Sequence, residues 1–225
     1  MSSLPLPPSG VLFDLDGTLL DSAPGLYAAL QAYAGETGII LPPYDTVREV
    51  VSRGASAVLR AAWPSADSAA ITARTPRFLE LYASVMGSMS TPFDGVEPLL
   101  DALETAGVPW GIVTNKAGFL TEPLLKAIGW WSRAASVVAG DTLPQRKPDP
   151  EPVLHACQLA GIDPTHGLFV GDDPRDIQAG RTAGMATVAA AWGYLGGSDP
   201  ATWGADIVLD TPSQLTRLLQ LDLPA

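Results

Sequence analysis

The chain has a single cysteine in 225 residues, Cys157, so no internal disulfide can form and a reducing, cytoplasmic setting is expected. Basic residues are scarce: 13 Lys and Arg stand against 24 Asp and Glu, a formal charge of −11. That balance argues against a nucleic acid or an anionic membrane as partner, since either needs a basic face. No apolar run reaches the length of a bilayer span. The opening Met1-Ser2-Ser3-Leu4-Pro5-Leu6-Pro7-Pro8 has neither basic residues nor an apolar core. It is expected to be a frayed, proline-stiffened lead-in, not a signal peptide. The two histidines, His155 and His166, are isolated and lack metal-ligand spacing. No Gly-x-Gly-x-x-Gly follows a strand, which removes the dinucleotide-binding fingerprint. Gly193-Tyr194-Leu195-Gly196-Gly197 comes after the strands of interest and reads as a loop, not as a phosphate cradle.

What is present is a soluble-type composition, 47% apolar and 16% charged, enough for a large domain or a core with a small companion. The stretch that organises it is Val11-Leu12-Phe13-Asp14-Leu15-Asp16-Gly17-Thr18-Leu19-Leu20-Asp21-Ser22. A short apolar run ended by turn residues suits a strand buried on both faces of a parallel sheet. Side chains alternate along it, so Asp14 and Asp16 project to one side at its carboxyl end, where open α/β sheets place their chemistry.

Ser22-Ala23-Pro24 reads as a helix start, with Ser22 as N-cap, and the helix runs to about Gly38. From Tyr44 to Met89 the apolar spacing is helical, and Gly54, Pro64 and Thr75-Pro76 divide it into three or four short helices. From Pro92 onward strands and helices alternate. Strands are expected at Trp110–Val113, Ser136–Val138, Leu168–Val170, Thr187–Ala189 and Ile207–Val208, and this pattern means βαβ units and a parallel sheet.

The polar residues sit at the strand ends: Asp14 and Asp16, Thr114 and Asn115, then Asp172 and Asp173, with Lys147 a short loop after another strand. Some have ordinary alternatives. Asp173 before Pro174, with Asp176 three residues on, has the pattern of a helix cap, as do Thr114-Asn115 and Asp149. Asp14 and Asp16 resist such a reading, because carboxylates on a core strand are costly unless paired or metal-bound. Two carboxylates about 4 Å apart repel by roughly 4 kcal/mol at an effective dielectric near 20. Lys147 alone cannot offset a group of Asp14, Asp172, Asp173 and Asp176, whereas Mg²⁺, a hard cation suited to oxygen ligands, can.

Asp14-Leu-Asp16-Gly-Thr-Leu-Leu-Asp-Ser, Thr114, Lys147-Pro148 and Gly171-Asp172-Asp173-Pro-Arg-Asp176, in that order and each at a strand end, resemble the four motifs of the haloacid-dehalogenase-like phosphatases. The resemblance implies an α/β fold with a Rossmann-like core of residues 1–20 and 92–225 and an inserted all-helical cap of residues 21–91. It further implies that Asp14 is the nucleophile, forming an aspartyl-phosphate, and that Asp16 is the acid and base. Thr114 and the Asn115 backbone would bind the phosphoryl oxygens, and Lys147 would neutralise charge. Asp14, the Asp16 carbonyl and Asp172 would hold Mg²⁺, with Asp173 and Asp176 acting directly or through water.

Within that family, Trp110-Gly-Ile-Val-Thr-Asn-Lys116, Lys147-Pro-Asp-Pro-Glu-Pro152 and Trp203-Gly-Ala-Asp206 resemble phosphoglycolate phosphatases and N-acetylmuramic acid 6-phosphate phosphatases. A small phosphorylated metabolite is therefore expected as substrate, with the amino-sugar phosphate slightly ahead. Val51-Ser52-Arg53-Gly54-Ala55 is the candidate loop from the cap into the site, where Arg53 would hold a substrate carboxylate. A phosphomutase of the same fold shares the motifs. A non-catalytic phospho-acceptor module is the different-class alternative, though its acidic residues would fall in another order and it would lack the cap.

Overall fold

The computed structural model describes residues 6–222. Met1–Pro5 of the expected lead-in therefore lie outside the described residues. The first strand, β1 (Val11–Phe13), is fully buried and leads through a tight turn to β2 (Leu20–Asp21). A helical segment follows: α1 (Ala23–Thr37), α2 (Tyr44–Arg48), a 3-10 turn at Val51–Arg53, α3 (Ala55–Ala62) and α4 (Ser68–Met89). The chain returns through β3 (Thr91–Pro92), which pairs antiparallel with β2. This two-stranded junction, at which the chain leaves and re-enters the sheet domain, is not apparent in the sequence, because four residues with a proline carry no alternation.

Then come α5 (Val96–Thr105), β4 (Trp110–Val113), α6 (Gly118–Ala127), β5 (Ser136–Val138), α7 (Glu151–Ala160), β6 (Leu168–Gly171), α8 (Pro174–Thr182), β7 (Ala186–Ala190), β8 (Ile207–Leu209) and α9 (Pro212–Leu218). The six-stranded sheet has the order β5-β4-β1-β6-β7-β8, every pair parallel. This is the expected Rossmann-like α/β core. The order runs outward from β1 to β5 on one side, then resumes at β6 on the other. The reversal lies between β1 and β6, and that crevice is where such sheets bind ligands.

The helical segment is held chiefly by α1 against α4, through buried Leu26, Leu30 and Tyr33 facing Phe78, Tyr82 and Met86. Thr75-Pro76, expected to end a helix, lies inside the 22-residue α4. Pro76 and Thr72 are both exposed, so the Thr72 carbonyl loses its N–H partner on the solvent side of the helix, where the loss is cheap, and the packed Phe78–Met86 face carries the helix through. Ser22 occupies the N-cap position of α1 but makes no capping bond; its buried hydroxyl has no partner. The Ala23 N–H is instead accepted by the Tyr194 hydroxyl at 2.9 Å.

Cys157 is buried beside Met185, with its sulfur 3.7 Å from Sδ. Trp130 packs edge-on to Trp110, while Trp131 is part-exposed. His166 is a surface partner of Asp163.

Candidate active site

The turn after β1 brings the first motif against the end of β6. Asp14 donates its N–H to the Val170 carbonyl, so it lies level with the last residues of β6. Gly17 has a φ of +95°, and a Cβ there would overlap the Asp172 carboxylate; only glycine lets the turn pass so close. Asp172 follows directly on β6 and is fully buried.

Among the described residues, oxygens of Asp14, Asp172 and Asp176 lie within 4.8 Å of one another. Lys147 reaches between them: its Nζ is 2.8 Å from Asp14 Oδ1, 2.8 Å from Asp176 Oδ1 and 2.6 Å from the Val113 carbonyl. The Asp14 contact is a charge pair out of line for a hydrogen bond, so the buried Oδ1 has no aligned donor. Burial, then the neighbouring Asp14 and Asp176 charges, hold the Asp172 carboxyl well above the usual range. Asp176 is pushed up to about 7, with burial as the main cause, Lys147 opposing it and Asp14 adding to it. For Lys147, burial favours the neutral form, but the charges of Asp14 and Asp176 outweigh it and the pKa rises. Three carboxylates against one ammonium leave an excess of negative charge. An all-oxygen set with one orphaned oxygen fits a metal cation.

Asp172 is held by donors from three segments. Thr18 Oγ1 donates to Oδ1, and both the Tyr194 N–H and the Ser52 hydroxyl donate to Oδ2, each at 2.9 Å. The Gly193–Gly197 loop is a loop, as expected, but it backs the acidic group. Tyr194 also donates to Asp21 Oδ1, and Trp192 donates its indole N–H to the Thr18 carbonyl. Nothing in a glycine-rich run so late in the chain signals this.

Asp173, one of the expected metal residues, does not bring its carboxylate to the group. Asp173 caps α8, with Oδ1 accepting the Arg175 N–H at 2.9 Å, and it is held by the Arg175 guanidinium at 2.7 Å. Asp176 Oδ2 accepts the Asp173 N–H, completing the capping box. Although burial raises the Asp173 carboxyl, Arg175 lowers it further, for a net fall. The Asp16 carboxylate, whose expected part in metal binding is its backbone carbonyl only, is 3.1 Å from Lys116 Nζ through both oxygens.

Thr114 is buried at the end of β4, and its hydroxyl accepts the Lys116 N–H at 3.2 Å; it does not cap α6, whose N-cap is Ala117. The Asn115 side chain bonds the Lys147 backbone twice, donating to O at 3.0 Å and accepting from N at 3.1 Å. It thus fixes the lysine loop. Asp149 accepts the Glu151 N–H at 2.9 Å from just before Pro150, the N-cap of α7.

Asp14, Asp16, Thr114, Asn115, Lys147 and Asp176 line one cavity of about 490 Å³. The segment from Val51 to Ser56 forms part of its wall, so the loop singled out in the sequence does meet the strand ends. Arg53 is exposed and donates to the Gly196 carbonyl at 3.3 Å. Lys116, Tyr82, Arg146 and Arg175 also line the cavity and were not foreseen. Lys116 two residues past a strand-end threonine, and Arg175 between two acidic residues, were the available signals. Leu26, Val51, Leu79 and Leu120 supply apolar wall.

A family model described as haloacid dehalogenase-like hydrolase matches residues 11–190. A Xylella fastidiosa protein named phosphoglycolate phosphatase is 49% identical over 211 residues, covering 93% of this chain and 92% of its own. A Pseudomonas aeruginosa protein named N-acetylmuramic acid 6-phosphate phosphatase is 46% identical, covering 93% of each. The crystal structure of a predicted phosphoglycolate phosphatase from Haemophilus somnus superposes with a TM-score of 0.83 at 26% identity, covering 97% of this chain and 99% of that one.

Proposed function

This chain belongs to the haloacid dehalogenase-like hydrolases, and on that footing we propose that it is a phosphatase of small organic phosphate monoesters that works through an aspartyl-phosphate. The observation that supports this most is the pairing of Asp14 with Lys147 inside the acidic group, facing a cavity at the sheet's reversal point.

In this reading residues 1–20 and 92–225 form the catalytic core and residues 21–91 the cap. An Asp14 carboxylate oxygen attacks phosphorus, the bond to the alcohol oxygen breaks, and Asp16 delivers a proton to that oxygen. Asp16 then takes a proton from water as the water attacks phosphorus, and the Asp14–phosphorus bond breaks to release inorganic phosphate. Lys147 holds Asp14 in place, and Thr114 with the Asn115 backbone binds phosphoryl oxygens. Mg²⁺ suits the oxygen donors of Asp14, Asp172 and Asp176, together with the Asp16 carbonyl, and when bound supplies positive charge against the phosphoryl oxygens. Asp173 serves by fixing the start of α8.

For the substrate, N-acetylmuramic acid 6-phosphate is the leading reading. A cavity of about 490 Å³ is of the size that encloses drug-sized ligands, and a two-carbon ester leaves most of it empty. Its partly apolar wall suits a substituted sugar, and Arg53 at its edge suits the carboxylate that both esters carry. The relatives named phosphoglycolate phosphatase support the second reading. Comparing kcat/KM for the two esters decides between them, with the sugar phosphate expected to be preferred. A rise in KM for both of these carboxylate-bearing esters in Arg53→Ala, far larger than for p-nitrophenyl phosphate, ties Arg53 to the carboxylate; equal effects remove it from substrate recognition. A hexose 1-phosphate that yields an isomeric sugar phosphate instead of inorganic phosphate would make the chain a mutase.

A further inference from the structure

Lys116 has no part in the steps above, yet it is among the most constrained charges in the molecule. Its side chain is 7% exposed. Nζ lies 3.1 Å from each oxygen of Asp16, donates to the Tyr82 hydroxyl at 2.8 Å, and stands 4.6 Å over the Tyr82 ring. The three residues come from different places: the turn after β1, the end of β4, and α4 of the helical segment. Among the described residues, the hydrogen bonds to the Asp16 side chain both come from Lys116. A buried ammonium is costly unless paired, and here the pairing also removes the freedom of a short carboxylate to turn about its own bonds.

We propose that Lys116 is a positioning residue for Asp16, and that Tyr82 makes this positioning depend on α4 being seated against the strand ends. The inference rests on the acid–base reading of Asp16. Two contacts on one carboxylate fix its plane as well as its direction, which proton transfer needs. Tyr82 supplies the lysine's third partner, and it is itself buried in the α1–α4 packing. When α4 lifts, Lys116 loses both hydroxyl and ring, and Asp16 loses its fixed bearing.

The test is a double-mutant cycle on kcat and KM with p-nitrophenyl phosphate and an alkyl phosphate. Lys116→Met is expected to lower kcat about 10- to 100-fold, the scale of losing an outer-shell partner, with KM little changed. In an Asp16→Asn background the same change should cost no further factor, because its effect passes through that carboxylate. Tyr82→Phe keeps the ring and removes the hydroxyl; it should give a smaller loss of the same kind, and it keeps the test open if Lys116→Met folds poorly. A rise in KM at unchanged kcat, or an equal cost with and without the Asp16 carboxylate, would overturn the proposal while leaving the phosphatase reading intact. Wild-type turnover by Asp16→Asn would instead remove the acid–base reading, and this inference with it.

Discussion

The hydroxyl of Ser52 donates to Oδ2 of Asp172 at 2.9 Å, across 120 residues of chain. Through this bond the helical segment touches the acidic group itself, and Arg175 strengthens the junction by donating to the Ser52 carbonyl at 2.7 Å. Hydrogen bonds to charged groups contribute about 1.5–3 kcal/mol. Ser52→Ala should therefore raise amide hydrogen exchange across residues 51–56 relative to the strands, with the global melt little altered. Unchanged exchange there would mean that the contact does not hold the loop.

Lys147 is the lone ammonium between Asp14 and Asp176. Breaking a buried ion pair by removing one partner costs about 3–5 kcal/mol, because the remaining charge is stranded. Lys147→Met should lower the urea midpoint by a corresponding amount in EDTA, and Mg²⁺ should recover part of it. An unchanged midpoint in EDTA would contradict the electrostatic account of the site.

Mg²⁺ should raise the melting temperature of the wild-type chain, since a ligand that binds only the folded state adds about 2.7 kcal/mol at a hundredfold excess over its Kd. Asp172→Asn should blunt that response, and EDTA should abolish turnover until Mg²⁺ is restored. A melting response that survives Asp172→Asn would place the cation elsewhere.

The sheet was legible for a simple reason. Val11–Phe13 are apolar on both faces and stop at a polar turn, which in a 225-residue α/β pattern leaves few other readings. The convergence of Asp14, Asp172, Asp176 and Lys147 followed, because parallel strands put their carboxyl ends on one edge. Local rules failed where tertiary packing overrode them. Pro76 stays inside α4 because its face toward solvent can lose a hydrogen bond cheaply. Ser22 has cap position without cap bonding; Pro24, the second helical residue, has no N–H to offer it, and the Ala23 N–H goes to Tyr194, far along the chain. Asp173 kept its capping role, which the spacing to Asp176 had offered as the alternative to metal binding. Lys116, Ser52 and Tyr194 act through partners distant in sequence, and no local pattern marks such pairs.

Cys157 gives a test of the core that is independent of the chemistry. Burial, with a smaller contribution from Asp163, pushes its thiol up to about 11. Folding thus favours the protonated thiol, so its contribution to stability is intact below the unfolded thiol's pKa near 8.5 and is lost as pH rises toward 11. At pH 8 a disulfide reagent should react slowly with the native chain and rapidly in denaturant. Equal rates would mean that the thiol is not buried between α7 and Met185.

The most direct measurement is mass analysis of the protein quenched in acid during turnover. A phosphoryl group on the peptide containing Asp14, reduced by borohydride to homoserine at that position and absent from Asp14→Asn, is the predicted result. Full turnover by Asp14→Asn, or a phosphoryl group found on another residue, would contradict the account.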